Sequence, residues 1–178
     1  MARKHAKAEI TGDVEQIVSF RLGRETFATM VSQVREIRKV EDITRVPKMP
    51  NYIEGVMNLR GQITTVIDLK KRLGISSEGS SRSDQSRIIV AEVGDNQLGI
   101  IVDAVEDVMR VPKESISPPP KALEGTESTL TGISKLEDRL IMMLDLEKVV
   151  NESEISQRAR ALSDQSNIDQ VDEGEVSA

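Results

Sequence analysis

A chain of 178 residues that is 38% hydrophobic, 2% aromatic and free of cysteine has room for one domain or two joined small ones, with a core of Val, Ile, Leu and Met. The missing cysteines exclude disulfides, thiolate catalysis and cysteine-bound zinc. A net charge of −6, with Phe20, Phe27 and Tyr52 as the only rings, offers neither general attraction to phosphate nor a stacking platform for bases, so nucleic acid is not an expected partner. No apolar run approaches a membrane span and no signal-like start is visible, so a reducing interior compartment without direct membrane insertion is expected.

Residues 1–14 read as a flexible basic arm carrying Arg3, Lys4, His5 and Lys7; His5 is the only histidine, which argues against a histidine-centred active or metal site. A first ordered half follows over 15–73. Val18, Phe20 and Leu22 alternate with Ser19 and Arg21, a period-two strand pattern. Gly23-Arg24 offers a tight turn, with a return strand around Phe27–Thr29. Val31 and Val34 share a face if the chain makes a helical turn there, and Glu36–Val40 returns to alternation. Pro47 and Pro50 bracket a connection, Tyr52–Met57 fits a short helix or a strand, and Gln62–Leu69 is extended. A polar loop over 74–86, with six serines, separates this half from the second, over 87–150.

The second half repeats the pattern. Ile89, Ala91 and Val93 form a strand, Gly94-Asp95-Asn96 a turn, and Leu98–Ile101 the return. Val102 and Val105 again suit a helical turn, Asp107–Val111 is extended, and Pro118-Pro119-Pro120 lacks the donors of an internal strand. Aligning Gly23 with Gly94 sets an offset of 71 that also superimposes Ile17 on Ile88, Val34 on Val105 and Ile37 on Val108. The later parts align at an offset of 77, placing Gly55 on Gly132, Asp68 on Asp145 and Leu69 on Leu146, with the extra six residues expected within 122–129. Residues 151–178 form an acidic tail, seven carboxylates against Arg158 and Arg160.

Catalytic chemistry finds little support. Asp103 and Glu106 share a face on a helical turn, which motivates a metal-assisted hydrolase, but they lack the ligand alternation of a calcium loop, and a solvated or docking face is the preferred reading. The serines have no base. Arg60, between Asn58 and Gly61, sits on a turn that can hold its guanidinium outward for a partner; the competing assignment is an internal ion pair with Glu54 or Asp68. Glu137 occupies the matching position in the second half.

The segments VREIRKVEDITRVP, YIEGVMNLRGQITTVIDL, LGIIVDAVEDVMRVP and LTGISKLEDRLIMMLDLEKVV, in that order and spacing over about 15–150, closely resemble the CheW family of chemotaxis coupling proteins. The resemblance implies an all-β fold of two intertwined SH3-like five-stranded β-barrels with short connecting helical segments. It implies a noncatalytic, cofactor-free cytoplasmic adaptor that joins methyl-accepting chemotaxis receptors to the regulatory domain of the CheA histidine kinase, with a stand-alone coupler fitting the length better than a multidomain relative. It carries receptor-binding roles onto Val34, Glu36, Arg60 and Val108, and a kinase-coupling role onto Gly55. Two departures stand out: Gln62-Ile63-Thr64-Thr65 contains no proline where the family commonly has one, and Leu136–Arg139 replaces a more glycine-rich turn.

Overall fold

The computed structural model describes residues 12–75, 82–121 and 129–150. The basic arm up to residue 11, residues 76–81 of the serine-rich loop, residues 122–128 of the expected insertion and the acidic tail lie outside the described residues.

Strands β1 (Val14–Leu22) and β2 (Glu25–Met30) form a hairpin turning at Gly23, whose φ of 62° suits glycine. Phe20 faces Phe27 across it, ring centroids 6.4 Å apart. A 3-10 turn at Val31–Gln33 leads into β3 (Val34–Lys39). The region left open between helix and strand is β4 (Ile53–Leu59), followed by β5 (Gln62–Asp68) and a short helix, α1 (Leu69–Arg72). The second half runs through β6 (Arg87–Val93), β7 (Asn96–Val102), β8 (Ala104–Pro112), a 3-10 turn at Lys113–Ser115, β9 (Ile116–Ser117), β10 (Leu130–Leu136), β11 (Arg139–Leu144) and α2 (Leu146–Val150). The helical turn expected over Val102–Val105 does not form: the chain passes from β7 to β8 through Asp103 alone, and Glu106 lies in a strand.

The strands make two sheets, in the orders β8-β1-β2-β11-β10-β9 and β3-β6-β7-β5-β4. Under the offsets of 71 and 77, the strands stand in equivalent order, and each sheet takes its leading hairpin from one half and the rest from the other. The exchanged hairpins join through parallel pairings, β11 with β2 and β5 with β7. Ladder irregularities recur at equivalent places: Arg35 is skipped where β3 pairs with β6 and Glu106 where β8 pairs with β1, and Glu54 is skipped where β4 pairs with β5 and Thr131 where β10 pairs with β11.

The expectation of two five-stranded barrels is corrected here. One sheet has six strands and the other five, and among the described residues neither closes. The physical reason lies in the segments that would complete each ladder. Residues 40–52, carrying Pro47 and Pro50, contribute one bridge, Thr44 with Val56, and β9 is two residues long before Pro118-Pro119-Pro120. Proline supplies no N–H, so pairing stops. Side chains cover part of what the ladders leave, with Val40 and Ile43 packing against the buried cluster of Met57, Leu59, Val66, Ile88, Val90 and Ile101 in the five-stranded sheet.

Between the sheets lies the main core, where Phe20, Leu22 and Phe27 meet Ile67, Ile89, Leu98, Ile100 and the α2 residues Leu146, Val149 and Val150. A third cluster, around Ile17, Val111, Ile141 and Met143, fills the six-stranded sheet. Because β1 is covered on both faces, Ile17, Val18, Ser19 and Phe20 are all buried, and the alternation seen in the sequence does not mark an inside and an outside. Ser19 is accommodated by its hydroxyl, which accepts from the Asp107 N–H at 3.2 Å beside the β8 irregularity.

Candidate functional site

The turn between β4 and β5 has Leu59 opposite Gln62, leaving Arg60-Gly61 as a two-residue loop. Both have positive φ, 51° and 84°, as a type I′ turn requires. The Gly61 N–H donates to the Asn58 side chain at 2.8 Å, bracing the loop. Arg60 is therefore held in the left-handed region, which residues bearing a Cβ seldom adopt, with 71% of its side chain exposed. Its guanidinium donates to Glu36 Oε2 at 2.8 Å, and Arg38 approaches the other oxygen of Glu36 at 3.4 Å. The ion pair thus links this turn to β3, the far edge of the same sheet.

Neither internal partner expected from the sequence takes Arg60. Asp68 caps α1 by accepting the Lys71 N–H at 3.2 Å. Glu54 accepts from Lys71 Nζ at 2.8 Å and from Arg82. Burial pushes the Glu54 carboxyl up, but the Lys71 hydrogen bond and the charges of Arg82 and Lys71 outweigh it and hold the group below its ordinary value.

Val34 opens β3 half-buried against the main core. Val108 lies on the other sheet, on edge strand β8 opposite Val18, and is 49% exposed. The structure brings Glu36 and Arg60 into contact and places Val34 two residues from Glu36. A residue outside the expected set shares Val108's situation: Ile37, exposed on edge strand β3. The signal was present in the repeat, since the offset of 71 aligns Ile37 with Val108.

Gly55 is buried in β4, with φ 149°, and a Cβ there would lie 2.0 Å from the Thr44 carbonyl oxygen. Gly132, its counterpart in the repeat, meets Ser117 in the same way: a Cβ would approach Ile116 Cγ2 at 2.6 Å and the Ser117 carbonyl oxygen at 3.0 Å. Each glycine lets a neighbouring backbone cross β4 or β10 closely, which explains why the two positions match in the sequence. Among the described residues no group of three or more His, Cys, Asp or Glu could hold a metal ion. Asp103 is engaged by Lys70 at 2.8 Å, and Glu106 faces Arg139 at 3.8 Å. No helix among the described residues is long and apolar enough to cross a membrane.

The family model for the CheW-like domain matches residues 16–154. The chain belongs to the CheW family. It is 34% identical to the chemotaxis protein CheW of Klebsiella aerogenes over 143 residues, covering 80% of this chain and 85% of that one. It is 37% identical to CheW of Bacillus subtilis over 146 residues, covering 82% and 92%. Among solved structures, the scaffolding protein TtCheW of Thermoanaerobacter tengcongensis is similar at a TM-score of 0.72 and 38% identity, over 78% of this chain and 94% of that one. As a CheW-family protein the chain is a noncatalytic chemotaxis adaptor linking receptors to the CheA kinase.

Proposed function

We propose that the adaptor works by bivalent docking in the cytoplasm, at membrane receptor arrays reached through protein contacts. One surface, including Val34, Glu36, Arg60 and Val108, takes the cytoplasmic signalling tip of a methyl-accepting receptor. Another takes the regulatory domain of CheA, with Gly55 acting through the shape of β4. Holding both partners raises their encounter probability and fixes their orientation without a cofactor.

The observation that carries this reading is Arg60. An exposed arginine kept in the left-handed region of a type I′ turn, where glycine or asparagine costs less, points to a use for its side chain beyond folding. Its donors are not exhausted by Glu36, and a planar donor fork suits carboxylate or carbonyl groups of a helical hairpin. The test is affinity for a receptor fragment and for CheA, with thermal unfolding, on Arg60→Ala, Arg60→Lys and Arg60→Glu. Receptor binding should fall in the order Lys, Ala, Glu, with CheA binding and stability near the parent's. Receptor affinities equal to the parent's in all three variants, or equal losses for both partners, would remove Arg60 from the docking surface.

A further inference from the structure

The chain crosses between sheets at two equivalent points, at Val31–Gln33 from β2 to β3 and at Asp103 from β7 to β8. A polar contact from the opposite half holds each crossing. Gln33 donates from Nε2 to Asp145 Oδ1 at 2.7 Å, and its Oε1 accepts from the Leu146 N–H at 3.1 Å and the Thr29 hydroxyl at 2.8 Å. Asp103 pairs through Oδ1 with Lys70 Nζ at 2.8 Å and accepts the Gly23 N–H on Oδ2 at 2.7 Å, while its own N–H donates to the Arg21 carbonyl at 3.0 Å. The holding groups come from corresponding places in the two halves without being matched residues: Lys70 lies in α1 after Asp68-Leu69, and Asp145-Leu146, which the offset of 77 matches to Asp68-Leu69, stands at the start of α2. Lys70 is buried, its side chain 8% exposed, and a cation is carried there only with its charge compensated.

Each crossing opens directly onto an edge strand bearing docking residues: β3 with Val34 and Glu36, and β8 with Val108. An edge strand has a ladder on one side only. Here that ladder skips Arg35 and Glu106, within three residues of the crossing. Pairing alone therefore defines the first residues of β3 and β8 weakly, and an anchor at the crossing is what sets them.

From this geometry we infer that Gln33 and the Lys70–Asp103 pair are positioning residues for partner docking. Each is supplied with a clamp by the other half, and together they fix the two edge strands that present the receptor-facing side chains. The inference rests on the docking reading above. A device that held only the fold would change receptor binding no more than stability.

The experiment compares Gln33→Leu, Lys70→Met, and Lys70→Met with Asp103→Asn against the parent, with Arg60→Glu alongside. Measured are thermal unfolding, native-state amide exchange across β8, and affinities for a receptor fragment and for CheA. Lys70→Met leaves the Asp103 charge uncompensated and lowers stability. The double variant removes both charges while keeping an acceptor for the Gly23 N–H, so stability recovers. The clamp stays absent, so exchange at Val105–Val108 remains faster than in the parent, and receptor affinity remains about three- to tenfold weaker. Gln33→Leu likewise weakens receptor binding more than CheA binding at temperatures where it is fully folded. Receptor affinity that returns to the parent's along with stability in the double variant overturns the inference. If the parent itself fails to bind receptor, the docking reading falls, and the exchange arm still decides whether the clamp holds β8: unchanged exchange refutes it. If Arg60→Glu loses receptor while all clamp variants bind as the parent does, the clamp inference alone is refuted.

Discussion

Two residues five positions apart show different constraints. At Gly55 an added Cβ would stand 2.0 Å from the Thr44 carbonyl oxygen, and the bridge between Thr44 and Val56, with N–H to O distances of 2.9 Å in both directions, would have to open. Gly55→Ala should therefore cost roughly 2–4 kcal/mol in denaturant unfolding, combining backbone strain with overpacking. Any loss of kinase coupling in that variant should accompany the loss of stability, and a fully stable Gly55→Ala protein would contradict the packing role. At Arg60 the ion pair is mostly exposed, so its removal should change stability by at most about 1 kcal/mol. The two valines also differ. Val108→Asp, on an exposed edge, should alter stability by about 0.5 kcal/mol, whereas Val34→Asp places a charge against the main core and should cost about 2–3 kcal/mol. Receptor affinity read beside unfolding free energy should thus isolate docking cleanly at Val108 and only partly at Val34.

Among the elements, β4, α1 and the chain at Arg82 meet at Glu54, which the β4 ladder skips and which receives Lys71 and Arg82. The carboxyl is held below its ordinary value of 4.5 in the folded protein. With the folded value depressed, the stabilisation is present above the unfolded value and is lost as pH falls through the folded one. Urea midpoints of the parent should accordingly drop as pH is lowered below 4.5, and Glu54→Gln should show a smaller drop over that window while being less stable at neutral pH. Parallel pH profiles for the two proteins would show that the pair contributes nothing to acid sensitivity.

For the whole molecule, hairpin exchange makes the halves interdependent. The hairpin β1–β2 has β8 and β11 as its sheet neighbours, both from the second half, and β6–β7 has β3 and β5 from the first. The main core draws on both halves and on α2. Fragments 1–81 and 82–178 should each lack cooperative unfolding and dispersed amide resonances when alone. Mixed in equal amounts, they should recover both. A fragment that folds by itself would show that one half closes its own core.

Legible in the sequence alone were most of the strands, the glycine turns and the repeat, with β4 left open between helix and strand, because these rest on local chemistry: side-chain period, glycine at positive φ, proline without an N–H. Family membership was legible for a related reason, since the order and spacing of four segments survive in the chain itself. The match of Gly55 with Gly132 was visible as well, although its cause, a backbone crossing each glycine, was not. Tertiary structure decided what depends on pairing between distant residues. It replaced two intertwined five-stranded barrels with sheets of six and five strands, neither closed among the described residues, and decided which hairpins are exchanged, since the offset alignment says which strands are alike and nothing about which strands pair. It gave Arg60 to Glu36, 24 residues away, when local sequence offered Glu54 and Asp68. It turned a supposed helical turn at Asp103 into a one-residue crossing held by Lys70, because a carboxylate's partner is chosen by the packing of the sheets and not by its neighbours along the chain.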